Sequence, residues 1–117
     1  MIGIDIIEIK RIENMINKFG NKALNRFLTK KEQELLTSLS SIAGYWAAKE
    51  AFSKAIGQGI GKNCSFLDIE ILKNKNGKPY FSTKTLEKFN LKAADLSISH
   101  DGGFAIAAVI VLKENLI

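Results

Sequence analysis

Six consecutive residues, Trp46-Ala47-Ala48-Lys49-Glu50-Ala51, and the segment after them restrict this chain more than any other stretch. They run on through Lys54 and then meet Gly57, Gly59 and Gly61. The spacing predicts a helix over residues 42–56, with Tyr45, Ala48, Phe52, Ala55 and Ile56 on its apolar side. Trp46, Glu50, Ser53, Lys54 and Gly57 fall on another stripe, so an acid and a lysine share one face just before the glycines stop the helix. Ala47 and Ala51 leave room beside Glu50, and backbone N–H groups in a glycine-rich loop can cradle phosphate. A metal ion and a polyphosphate would both find partners there.

The other elements are read from periodicity. Residues 1–7 form an isoleucine-rich strand interrupted by Asp5. Ile9, Ile12, Ile16 and Phe19 recur at helical spacing, and Gly20 ends that helix. Thr29-Lys30-Lys31-Glu32 is a capping box opening a second short helix. Residues 66–72 alternate apolar and polar, as a strand does; Asn76-Gly77 is a hairpin turn and residues 78–81 return. A short helix over residues 83–89 follows. Residues 96–100 alternate again, Asp101-Gly102-Gly103 turns the chain, and residues 104–112 come back as a long, largely buried strand. Helices early and antiparallel hairpins late indicate an α+β fold, one small domain of antiparallel strands packed on helices over residues 1–117.

Composition narrows the function classes. The net charge of +5 calls for an acidic partner: nucleic acid, an acidic protein or a phosphorylated ligand. Seven basic side chains (Lys10, Arg11, Lys18, Lys22, Arg26, Lys30, Lys31) crowd residues 1–31, against Asp5, Glu8 and Glu13. Cys64 is the single cysteine, so no disulfide framework and no cysteine metal site exist, which suits a reducing compartment. Asp5 and Glu8 break the first apolar stretch, and the longest apolar run is far too short for a spanning helix. A soluble cytoplasmic protein is expected.

Several residues carry candidate chemistry. Asp5 within an apolar strand needs a partner. Capping the first helix is its ordinary role; ligating a metal is the sharper one. Mg2+ prefers oxygen donors and is commonly held by one or two carboxylates plus substrate phosphates, so Asp5 and Glu50 are the candidate pair. Glu50 and Lys54 also fit an ordinary exposed ion pair, contributing roughly 0.3–0.5 kcal/mol. Gly57-Gln58-Gly59-Ile60-Gly61-Lys62 follows a helix, so it is neither a dinucleotide fingerprint nor a P-loop. It reads either as a helix end with a turn or as a phosphate nest to which Lys54 and Lys62 add charge. His100, the only histidine, stands at a strand end beside Ser99, placed to bind phosphate or shuttle a proton.

Taken in order, these segments resemble the holo-[acyl-carrier-protein] synthase family, the short type of 4′-phosphopantetheinyl transferase. The resemblance rests on Ile2-Gly3-Ile4-Asp5-Ile6 and Phe27-Leu28-Thr29-Lys30-Lys31-Glu32. It continues through Trp46-Ala47-Ala48-Lys49-Glu50-Ala51-Phe52-Ser53-Lys54, the glycine run, Gly77-Lys78-Pro79 and Ser97-Ile98-Ser99-His100, nearly the whole length. It implies the 4′-phosphopantetheinyl transferase fold and transfer of the phosphopantetheine arm from coenzyme A to a serine of apo acyl carrier protein. It implies Mg2+ on Asp5 and Glu50, and catalysis by Glu50, Lys54 and His100. The nucleotide would be bound by Lys49, Lys54, Gly57, Gly59, Gly61, Lys62, Ser99 and His100. For the serine proton, Glu50 or a water on the metal ranks ahead of His100. The family is similar in being homotrimeric, with active sites between subunits and an acidic carrier. Arg11, Met15, Lys18, Lys22 and Arg26 would then be the docking face, and Arg11→Glu would raise the carrier KM alone. Tyr45 stands where relatives often carry an arginine at the nucleotide's phosphate end; Lys49, Lys62 or a neighbouring subunit would compensate.

Two rivals remain. A small basic nucleic-acid-binding domain fits the charge, although only Tyr80 and Phe81 offer stacking rings and no module motif is present. A catalytically dead assembly subunit fits less well, since Asp5, Glu50 and Lys54 are all present.

Overall fold

A computed structural model describes residues 1–114. β1 (Ile2–Glu8), β5 (Phe104–Lys113) and β4 (Leu91–Asp101) form an antiparallel sheet in the order β1-β5-β4. Ahead of the hairpin come α1 (Ile9–Phe19), α2 (Asn21–Phe27), α3 (Lys30–Leu35) and α4 (Leu39–Ala55). A 3-10 turn (Phe66–Asp68), a small hairpin of β2 (Ile71–Lys73) and β3 (Pro79–Phe81), and α5 (Thr83–Lys88) lead into β4. The α+β class expected from the sequence is the one observed.

Local chemistry sets most boundaries. Gly20, at φ +59°, ends α1 and turns the chain straight into α2, whose Ala23 and Phe27 pack inward at i, i+4. The capping box forms as read: Thr29 Oγ1 accepts from the Glu32 N–H at 3.1 Å, and Glu32 Oε1 accepts from the Thr29 N–H at 2.8 Å. Ser38 caps α4 by accepting from the Ser41 N–H, so α4 starts three residues before the periodicity predicts.

α4 lies across the inner face of the sheet and is buried nearly all round, with Ala43, Ala47, Ala48, Ala51 and Phe52 all at 0% exposure. Two glycines let it approach. A Cβ on Gly3 would stand 1.9 Å from the Ala51 carbonyl oxygen, and one on Gly44 would stand 2.7 Å from the Ile98 side chain. The start of α4 therefore touches β4 and its end touches β1. That crossing carries Glu50 and Lys54 to the β1 edge, where Asp5 sits.

Two expectations for the strands need correction. Residues 66–72 do not make one strand: Ser65 and Asp68 cap a 3-10 turn first, and β2 begins only at Ile71. β5 is not largely buried either. Ala105, Ala107, Val109 and Val111 face α4, while Ile106, Ile110 and Leu112 face outward. Ile2, Ile4 and Ile6 of β1 join them at 58–72% exposure, giving the sheet an apolar outer face.

Candidate active site

Asp5, Arg11, Trp46, Glu50 and Lys54 line one pocket of about 200 Å³ at the β1 edge. Asp5 does not cap α1; that position belongs to Glu8, which makes no side-chain cap. Strand alternation turns Asp5 inward, where Lys54 Nζ meets Asp5 Oδ1 and the Ile4 carbonyl oxygen, each at 3.1 Å. Glu50 makes no ion pair among the described residues. Burial and then the neighbouring charge of Asp5 push its carboxyl above the usual range, against Lys54 and Arg11. Two repelling carboxylates on one wall form a hard-oxygen donor set suited to Mg2+, which fills its remaining positions with water and phosphate oxygens. No group of three or more acids, histidines or cysteines able to hold a metal exists among the described residues, so a cation would rest on this pair.

Lys49 is not a nucleotide ligand. It is fully buried, and its Nζ donates to the Phe27 carbonyl at 2.7 Å, Glu32 Oε1 at 2.7 Å and the Phe66 carbonyl at 3.1 Å. Those three bonds consume its three protons. Burial pulls its pKa down and the Glu32 carboxylate holds it up. Removing either partner would strand a buried charge, at a cost of roughly 3–5 kcal/mol.

The glycine run is not a nest of free donors. The N–H groups of Gly57, Gln58, Gly59 and Gly61 are directed to the carbonyls of Lys54, Ser53, Ser53 and Cys64. Gly57 and Gly59 serve the helix end through positive φ values of 78° and 69°. Lys62 lies exposed in the turn closed by the Gly61–Cys64 bridge. Positive charge in the pocket thus comes from the Lys54 and Arg11 side chains. Arg11 was read from the sequence as a docking residue alone; nothing in local spacing links it to Glu50.

His100 stands apart from the carboxylates. With Ser40, Ser41, Tyr45, Lys73 and Lys78 it lines a second cavity of about 290 Å³, which shares no residue with the first. The sheet register explains this: His100 lies on β4, the edge strand opposite β1, paired with Ala105 of the central β5, and α4 lends Tyr45 to one cavity and Trp46, Glu50 and Lys54 to the other. Ser99 points to the opposite face, beside Ile106, and does not join His100. Tyr45 is buried, and its hydroxyl has no partner among the described residues. Burial and the charge of Glu32 raise its pKa to about 12. The cations beside Tyr45 and His100 are Lys73 and Lys78, neither singled out in the sequence; the Gly77-Lys78-Pro79 turn was the available signal.

A third, mostly apolar cleft of about 370 Å³ is lined by Met15, Arg26, Trp46, Ile60, Gly61, Ser65 and Phe66. Trp46 forms the wall common to this cleft and the carboxylate pocket. Lys18 and Lys22 extend the basic face on exposed turns of α1 and α2. A stacking platform is absent from β3: Phe81 is buried against Phe52, leaving Tyr80 alone in solvent.

The family model for the 4′-phosphopantetheinyl transferase superfamily matches residues 1–109. The chain belongs to that superfamily. It is 71% identical over 113 residues to holo-[acyl-carrier-protein] synthase of Nautilia profundicola, covering 97% of this chain and all of that protein. The same enzyme of Campylobacter fetus is 55% identical, over 95% of this chain and 98% of the relative. The crystal structure of Helicobacter pylori holo-[acyl-carrier-protein] synthase in complex with coenzyme A superimposes with a TM-score of 0.89 at 49% identity, covering 95% and 99% of the two chains. A Bacillus anthracis synthase structure in complex with coenzyme A (3′,5′-ADP) gives 0.81 at 44% identity, over 97% and 96%.

Proposed function

We infer that this chain is a single-domain holo-[acyl-carrier-protein] synthase. It transfers the 4′-phosphopantetheine arm of coenzyme A to a serine of apo acyl carrier protein and releases adenosine 3′,5′-bisphosphate. The observation that carries this reading is the convergence of Asp5, Glu50 and Lys54, 49 residues apart at its widest, on one pocket of a chain whose relatives bear that name.

The donor set of Asp5 and Glu50 fits Mg2+, which when bound supplies charge neutralisation at the pyrophosphate. Lys54 and Arg11 line the same pocket and add fixed positive charge where the phosphoryl oxygens gain negative charge. The serine oxygen forms a bond to the β-phosphorus, and the anhydride bond to the nucleotide breaks. The serine proton passes to Glu50, the pocket acid that makes no ion pair with a side chain among the described residues.

His100, Lys73 and Lys78 serve the nucleotide end from a neighbouring copy. Two features support an assembly with sites between subunits: the separation of the two cavities within one chain, and the apolar outer face of Ile2, Ile4, Ile6, Ile106, Ile110 and Leu112. A homotrimer is the assembly we propose. The basic face of Met15, Lys18, Lys22 and Arg26 receives an acidic carrier. No helix of the described residues is long and apolar enough to cross a membrane, and we assign the enzyme to the cytoplasm with its carrier.

The test is incubation with apo acyl carrier protein, coenzyme A and Mg2+, read by intact-protein mass spectrometry. A phosphopantetheine mass on the carrier that disappears with EDTA is expected. An unmodified carrier would refute the reading.

A further inference from the structure

We propose that the buried Glu32–Lys49 pair positions Trp46, and that through Trp46 it sets the affinity for coenzyme A; the second part rests on the transferase reading above. The two main-chain carbonyls that Lys49 holds belong to Phe27 and Phe66. The rings of those same two residues close on Trp46, with centroids at 5.0 Å and 4.5 Å. One ammonium group therefore fixes both sides of an aromatic clamp from behind. Trp46 is in turn the wall between the carboxylate pocket and the apolar cleft.

Glu32 ties the clamp to the rest of the fold. Its Oε1 accepts from Lys49 and from the Thr29 N–H, and its Oε2 accepts from the Ile71 N–H at 2.8 Å. The pair thus gathers the end of α2, the start of α3, the middle of α4, the 3-10 turn and the start of β2. Apolar packing alone would hold these segments without fixing their register, because the hydrophobic effect has no direction. A fully hydrogen-bonded ion pair has direction, and its worth lies in definition more than in stability. Lys49 touches neither carboxylate of the pocket, so its part is positioning. The coenzyme A arm, leaving the pyrophosphate at Asp5 and Glu50, meets Trp46 first and then the cleft of Ile60, Phe66 and Met15.

Trp46 is the only tryptophan, so its fluorescence reports this wall directly. The experiment compares the unaltered chain with Glu32→Leu/Lys49→Met, which replaces the pair by apolar side chains of similar volume. The variant is expected to keep its far-ultraviolet dichroism while the Trp46 emission shifts to the red and acrylamide quenching rises. The KM for coenzyme A should rise about tenfold with kcat within about twofold. A folded variant with unchanged Trp46 emission, quenching and coenzyme A KM would overturn the proposal. Should that variant not fold, Glu32→Gln/Lys49→Met keeps one acceptor, for either the Thr29 or the Ile71 N–H, and cuts the tether to Phe27 and Phe66; it is judged by the same criteria. If the unaltered chain transfers nothing, the transferase reading fails, and the fluorescence alone still decides whether the pair positions Trp46.

Discussion

Lys54 Nζ stands 3.1 Å from Asp5 Oδ1, across the junction where α4 meets β1. The lysine is half exposed and the aspartate largely covered. It therefore offsets one of the two carboxylate charges that would otherwise face each other beside Glu50.

Removing that lysine has two opposite effects. Lys54→Ala leaves Asp5 and Glu50 repelling each other more strongly, so the half-saturating Mg2+ concentration should fall. The same change deletes the cation that the proposed mechanism sets against the phosphates, and kcat should drop by about 10²–10³. Steady-state transfer assays across a Mg2+ series check both. A variant with unchanged Mg2+ dependence would show that the lysine does not compete for Asp5.

Gly3→Ala tests the crossing that assembles the pocket. Its Cβ would fall 1.9 Å from the Ala51 carbonyl oxygen, which is backbone and cannot swing aside. Roughly 1–3 kcal/mol should be lost as β1 and α4 move apart, lowering the thermal midpoint by about 5–15 °C. Transfer activity should fall by more than the unfolded fraction explains, since Asp5 moves with the strand. Calorimetry and activity at a temperature where the variant is folded provide the check.

The alkaline side of the stability curve should be steep. Burial raises the Tyr45 hydroxyl from 10.0 to about 12 and the Cys64 thiol from 9.0 to about 11. Above pH 9 the unfolded thiol loses its proton first, and above pH 10 the unfolded phenol does, while the native groups keep theirs. The native state then binds more protons, so stability declines as pH rises through 9–12. Tyr45→Phe removes a buried hydroxyl without a partner and should raise stability by about 1 kcal/mol while flattening the upper part of that slope. Urea melts between pH 8 and 11 measure this, and native Cys64 should resist thiol reagents at pH 8.

Carrier docking is best probed away from the pocket. Arg11 lines the pocket with Glu50, so Arg11→Glu would disturb the carboxylate wall as well as the proposed docking face. Lys18→Glu/Lys22→Glu should raise the carrier KM about tenfold and leave the coenzyme A KM unchanged, with transfer weakening as salt is added. Equal changes in both KM values would remove α1 and α2 from the docking face.

Features carried by neighbours in sequence were legible before the fold was known. α1, the Thr29 capping box and the Asn76-Gly77 hairpin are of this kind; Asp5 and Glu50, far apart in sequence, were paired by donor chemistry and by resemblance to a family, and the fold sets both on one pocket. α2 was missed because it is short and starts at a glycine, which reads as a stop. The 3-10 turn at Phe66 was hidden because its alternation matches a strand, while the Ser65–Asp68 cap that sets it is a single local contact. Lys49 was misplaced for a different reason. It sits one residue before Glu50, about 100° round the helix, and its partner Glu32 is 17 positions away. The glycine run was read as open donors because only the folded helix end shows that its N–H groups turn back on Ser53 and Lys54.

The shared hold of Asp5 and Glu50 on one cation is tested most directly by Mn2+ titration of the complex with coenzyme A, followed by electron paramagnetic resonance. The unaltered chain should bind one ion per site, and Asp5→Asn and Glu50→Gln should each weaken that binding by about tenfold or more. Retention of full stoichiometry and affinity in either variant would contradict the account.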